Sequence, residues 1–211
     1  MIASSTGVVA APPATLPGFF RAAMAAAPVL LLASTVAFIT LGAGINHGLV
    51  GGVVTIWSVL AFAVAFVGCA RILELRMPRG SRFVTFGAAA LAVGGAAFGI
   101  DAIYADVLLT DHQIDAAAAV DAHPLSALAY LPWGWFMPIT CIVTGALLWR
   151  ARLLPWWHGL AFALGGVLFV TGRPARIDAV AIITDLVLIA AFWLLAMRPP
   201  TGTAPERRAE A

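Results

Sequence analysis

Lysine is absent from these 211 residues, and charge of either sign is scarce: 12 arginines, 10 acidic residues and 4 histidines. Without a lysine amine, Schiff-base chemistry of the retinal or pyridoxal kind has no attachment point. No GxSxG turn and no Walker-type loop is present, which removes the serine-hydrolase elbow and the phosphate-cradling NTPase loop. HExxH and HxxxH are also missing. The two histidines nearest the apolar runs, His47 and His158, belong to opposite ends of the predicted spans, so no pair at depth can hold haem. Only two cysteines occur, Cys69 and Cys141, both in expected cytoplasmic helix halves. They read as small apolar side chains and not as a structural disulfide.

What fills the chain is apolar. Hydrophobic residues make up 62% and charged residues 10%, with a mean hydropathy of +0.99, a composition that lipid solvates and water does not. No Asp, Glu or Arg falls between Ala22 and Ala70. As helix, that run extends roughly 74 Å, more than twice a ~30 Å hydrocarbon core, so it holds two spans broken at the glycine-rich LGAGINHGLVGG. The same length rule places six helices near 24–45, 50–70, 83–104, 127–149, 155–172 and 177–197. A transmembrane barrel would alternate polar and apolar positions, whereas these segments are apolar on every side. The expected fold is therefore an all-α polytopic membrane protein, a six-helix transmembrane bundle over residues 21–198. Residues 1–20 and 199–211 read as flexible tails.

Arginine placement orients the bundle. With both termini cytoplasmic, ten arginines lie inside and only Arg173 and Arg176 outside. The inner turns, RILELRMPRGSR and RARLLP, suit anionic headgroups better than nucleic acid. Trp149, Trp156 and Trp157 beside them, and Tyr130, Trp133 and Trp135 at the other end, fit interfacial belts. Pro132 and Pro138 should kink the fourth helix. Gly95 and Gly99 form a GxxxG frame for close helix packing, in which a homodimer is one version. The lipid bilayer is the expected partner, with a second copy or a partner membrane subunit as the protein partner.

Asp185 is the sharpest clue. It lies mid-way along the last apolar run, Ile177 to Met197, where a carboxylate costs roughly 2.5–3.5 kcal/mol on insertion scales. Eleven Leu, Ile, Val and Phe residues in that run, at roughly −0.3 to −0.6 kcal/mol each, outweigh it. Asp178 shares its helical face two turns earlier and can pair with Arg173 or Arg176. No cation is expected at the depth of Asp185, so it reads as an uncharged acid bonded to a hydroxyl such as Ser58, Thr55 or Thr140, or to backbone released by Pro138. The competing reading is a carboxyl that exchanges a proton or cation with an outward-open cavity.

The remaining polar chemistry gathers at the outer face. Asp101, Asp106, Arg173, Arg176 and His47 form the expected outer cluster, either as an ion-pair network or as a guanidinium site for an anion. The loop 105–126 adds His112 and His123 and a short surface helix around 111–122. Neither a metal nor a cofactor is called for by this spacing.

The segment LWRARLLPWWHGLAFALGGVLFV, through Arg150, Arg152, Leu154, Pro155, Trp157, Gly159, Gly165 and Gly166, resembles small multi-span bacterial membrane proteins of unknown function. That resemblance implies a six-helix protein of the bacterial cytoplasmic membrane and carries no catalytic residue with it. The expected function is a non-enzymatic permease-like or accessory module with an outward-facing polar pocket bounded by the third, fourth and sixth helices. The alternative is a membrane-embedded enzyme acting on lipid-like substrates at the outer leaflet through Asp and His residues.

Overall fold

The computed structural model describes residues 16–110 and 132–197. Helix α1 spans Gly18–Leu41, α2 Leu49–Leu73, α3 Pro78–Thr110, α4 Phe136–Arg150, α5 Trp156–Gly172 and α6 Asp178–Ala196. No strand occurs among the described residues. Five helices are long and apolar enough to cross a membrane: α1, α2, α3, α6, and α4 together with the helical turn before it. Helix α5, with 17 residues, is shorter. Large apolar side chains point outward all around the bundle, among them Trp57, Leu60, Ile183 and Leu186. Water would not tolerate so continuous an apolar exterior.

Each boundary has a local cause. Glycines interrupt the first run after Leu41, and Gly44, at φ +108°, takes a backbone that L side chains rarely adopt. Pro78 opens α3 at the one helical position where a missing N–H costs nothing. Helix α3 continues six residues past its expected end at 104, because 105–110 contains neither glycine nor proline to stop it. That extension has a use: Asp106 Oδ2 accepts the backbone N–H of Leu49 at 3.0 Å, satisfying a free donor at the start of α2. The fourth helix is interrupted at Trp135, since the Pro138 ring displaces the carbonyl four residues earlier, on Gly134.

The helices form a closed ring. Each packs on its neighbours in the chain, α6 packs back on α1, and α2 also touches α4 across the middle. The α6–α1 seam is tied by Trp193, whose indole N–H donates to the Ala25 carbonyl at 2.9 Å. Small residues set the spacing elsewhere. Side chains at Gly95 and Gly99 would strike Val59 and Ile56 of α2, so the GxxxG frame serves packing within the chain. Gly145 of α4 and Gly159 of α5 face one another's backbone in the same way.

One half of the ring is filled with aromatic rings. Phe62 and Phe66 of α2 meet Phe192 of α6 at centroid distances of 5.3 and 5.4 Å, and Phe162 of α5 meets Phe192 at 4.8 Å, all edge to face. His158 stacks beneath, 5.8 Å from Phe162, and its Nε2 lies 2.7 Å from the Ala191 carbonyl. A carbonyl can only accept, so Nε2 carries the proton. The other half, toward the 42–48 and 173–177 turns, is not filled.

Candidate ligand cavity and buried charge pair

A cavity of about 200 Å³ occupies that unfilled half. Its walls come from α1 through α5, with Asn46 from the α1–α2 turn and Arg173 and Pro174 from the α5–α6 turn. Most of the lining is apolar, including Phe62, Phe98, Trp135 and Phe169; Asn46, Thr55 and Arg173 supply the polar atoms. The expected pocket was polar and bounded by the third, fourth and sixth helices. Helix α6 contributes nothing to this one, because in the ring it stands between α5 and α1 and does not touch α3.

Arg173 is 6% exposed and Asp185 fully buried, and they form an ion pair, Nη2 to Oδ2, at 3.5 Å. Thr35 of α1 sits between them. Its hydroxyl accepts a hydrogen bond from Arg173 Nη2 at 2.6 Å and donates to Asp185 Oδ2 at 2.5 Å. The guanidinium has only donors, so the hydroxyl accepts from Arg173, and its single proton is shared between Asp185 Oδ2 and the Leu31 carbonyl at 3.1 Å. Nη2 also approaches the Leu31 carbonyl at 3.5 Å, and the guanidinium carbon lies 5.4 Å from the centre of the Phe169 ring.

The expectation that no cation lies at the depth of Asp185 is therefore corrected: Arg173 reaches it. Depth measured along α6 alone puts about 10 Å between Asp178 and Asp185. Side chains, however, lean toward the N-terminus of their own helix. Arg173, at the end of α5, leans back into the bundle, while Asp185, on the antiparallel α6, leans toward the turn. The two close the gap from opposite ends.

The hydroxyls expected to serve Asp185 are engaged elsewhere or lack partners. Ser58 donates to the Ala27 carbonyl at 3.0 Å, and Thr55 contacts Ser34 at 2.5 Å and donates to the Gly51 carbonyl at 2.9 Å. Thr140 Oγ1 has no partner among the described residues. Thr35 was missed, although its placement was readable: with Ser34 it is the only polar pair in the apolar stretch 22–39 and falls one turn after the buried Leu31.

Compared with protein-family models, curated proteins and solved structures, the chain has no match.

Of the expected outer-face residues, Arg173 pairs with Asp185, Asp106 binds the start of α2, and Arg176 and Asp178 are both exposed. Asp178 makes no ion pair among the described residues, and at the first position of α6 it is favoured by the helix dipole instead. His47 and Asp101 are half-buried at the same end. Among the described residues no three His, Cys, Asp or Glu side chains gather as metal ligands. His112, His123 and the surface helix around 111–122 lie outside the described residues, as do residues 1–15 and 198–211; residues 18–20, expected in the N-terminal tail, instead open α1.

What the arrangement can do follows from its charges. Arg173 and Asp185 cancel, so the site is neutral overall while still offering N–H donors. Arg173 Nε has no hydrogen-bond partner among the described residues, and neither has Asp185 Oδ1. The cavity thus combines an apolar body with a donor-bearing wall, the combination that holds small molecules in a fixed orientation.

Proposed function

We propose that the chain is a six-helix integral membrane protein of the bacterial cytoplasmic membrane, with both termini cytoplasmic. It acts without covalent chemistry, as a permease-like or accessory module that admits a small, mostly apolar molecule from the outer side. The observation that carries this reading is the cavity of about 200 Å³ at the 173–177 end, with a guanidinium and the rings of Phe62, Phe98, Trp135 and Phe169 in its wall. The ten-to-two arginine split supports the orientation. The 17 residues of α5 extend about 26 Å, and its flanking turns supply the remaining few ångströms of a sixth span. The bilayer, and a second copy or another membrane subunit, are its partners in this reading. The outer-leaflet enzyme reading needs His47, His112 or His123 to converge with Asp101 or Asp106, and His112 and His123 lie outside the described residues.

Cysteine accessibility in intact cells tests the proposal against little background, since Cys69 and Cys141 are both fully buried. Pro174→Cys, at the cavity mouth, should react with an impermeant maleimide added outside. Leu75→Cys, in the turn at the other end, should react only after permeabilisation. Val59→Cys, deep in the cavity wall, should be reached from outside by a small methanethiosulfonate. The reverse pattern at Pro174 and Leu75 overturns the orientation, and an unreactive Val59→Cys overturns the outward opening.

A further inference from the structure

Arg173 is more than nine-tenths buried, lines the cavity, and keeps an Nε–H that nothing among the described residues accepts. A buried donor in such surroundings is completed by an acceptor brought from outside. Guanidinium geometry matches a carboxyl group best, through two parallel hydrogen bonds. The rest of the lining favours an apolar body: Phe98, Trp135 and Phe169 present rings to the space. Volume limits that body, since an engineered apolar cavity of ~150 Å³ holds benzene, so the cavity here accepts about eight to ten heavy atoms.

Charge balance adds a further condition. Arg173 already faces Asp185 across 3.5 Å, with Thr35 between them. An incoming carboxylate would leave the buried site with an excess negative charge; His47 and Arg176, on the flanking turns, do not line the cavity. The cavity walls from α2, α3 and α4 carry no ionisable side chain. On α1 the facing group is the Thr35 hydroxyl, and Ser34 is engaged with Thr55. On α5 the remaining titratable group, His158, is bonded to Ala191 near the far end, and on α6 Asp178 is exposed. Asp101 and Asp106, on α3, do not line the cavity.

Resting on the proposed outward-open cavity, we infer that it takes a small monocarboxylic acid with an apolar body, its carboxyl on the Arg173 guanidinium, and that one proton enters with each acid. Thr35 and Asp185 are positioning residues, which hold the guanidinium at the wall and keep the site neutral. A neutral complex is the form that low-dielectric surroundings favour.

The test uses the full chain in lipid nanodiscs and fluorine NMR, with 4-fluorobenzoate and 4-fluorotoluene as probes and empty nanodiscs as the blank. Both probes should show a bound resonance, and fluorobenzoate affinity should fall by about tenfold per pH unit, as one accompanying proton requires. Arg173→Met/Asp185→Leu removes both charges together and so leaves neither stranded. It should retain fluorotoluene and weaken fluorobenzoate by about tenfold or more, the scale of one lost charge-assisted hydrogen bond. Asp185→Asn should bind fluorobenzoate with a flat pH dependence. Fluorobenzoate binding that survives the double substitution, or that ignores pH in the unmodified chain, overturns the inference. Fluorotoluene binding without fluorobenzoate binding also overturns it while leaving the cavity reading intact; if neither probe binds, the cavity reading fails with it.

Discussion

Replacing Asp185 by Asn should strand a guanidinium inside the bundle. The amide keeps the size of the carboxyl and an oxygen for the Thr35 hydroxyl, so the loss is electrostatic. At the observed 3.5 Å, two unit charges in an effective dielectric of about 20 attract by about 4–5 kcal/mol. That agrees with the roughly 3–5 kcal/mol by which removing one partner of a buried pair destabilises a protein. At about 2–4 °C per kcal/mol for a chain of this size, the unfolding midpoint in detergent should drop by on the order of 10 °C. Arg173→Met should cost a similar amount, leaving the carboxylate stranded instead. The double substitution Arg173→Met/Asp185→Leu should recover most of either loss, because well-packed apolar side chains replace a buried pair at little cost and sometimes with gain. Thermal unfolding of the four proteins completes the cycle. If Asp185→Asn melts within about 0.5 kcal/mol of the unmodified chain, or the double substitution costs the sum of the singles, the buried ion pair does not organise the bundle.

Thr35→Val should lose about 2–3 kcal/mol, since a methyl can neither accept from Arg173 nor donate to Asp185, and Thr35→Ser should restore most of it by keeping the hydroxyl; the same melting assay reads both. Gly99→Ala should destabilise by about 1–3 kcal/mol, because its methyl would meet Ile56 Cγ1 at 2.6 Å and the Gly52 carbonyl at 2.8 Å. Gly18→Ala, where nothing lies within 4 Å, should cost nothing measurable and serves as its control.

The helices were legible because lipid leaves few alternatives. Runs without charge, broken at Gly42–Gly52 and at Pro78, locate α2 to within three residues, whereas α1 starts six residues before its expected start and α3 starts five before and ends six after. Residues 105–110 looked like loop because they leave the apolar run, yet no residue there stops a helix. Gly95 and Gly99 announced close packing, but their partner, α2, depended on which helix lay beside them.

The site was half legible. Asp185 stood out by the cost of a carboxylate at that depth, and Arg173 by its place outside the arginine-rich side. That the two meet did not follow from counting residues along α6, because the direction in which each side chain leans enters only once antiparallel neighbours are set side by side. Thr35 lies 150 residues from Asp185 and reaches it only because α6 closes the ring on α1. By itself, the sequence determined the solvent, the helices and the two charges worth examining, since burial cost and hydropathy are properties of each segment alone. Tertiary structure decided that those charges neutralise each other through a third helix and that a cavity remains beside them, because pairing and void depend on the order of helices around the ring.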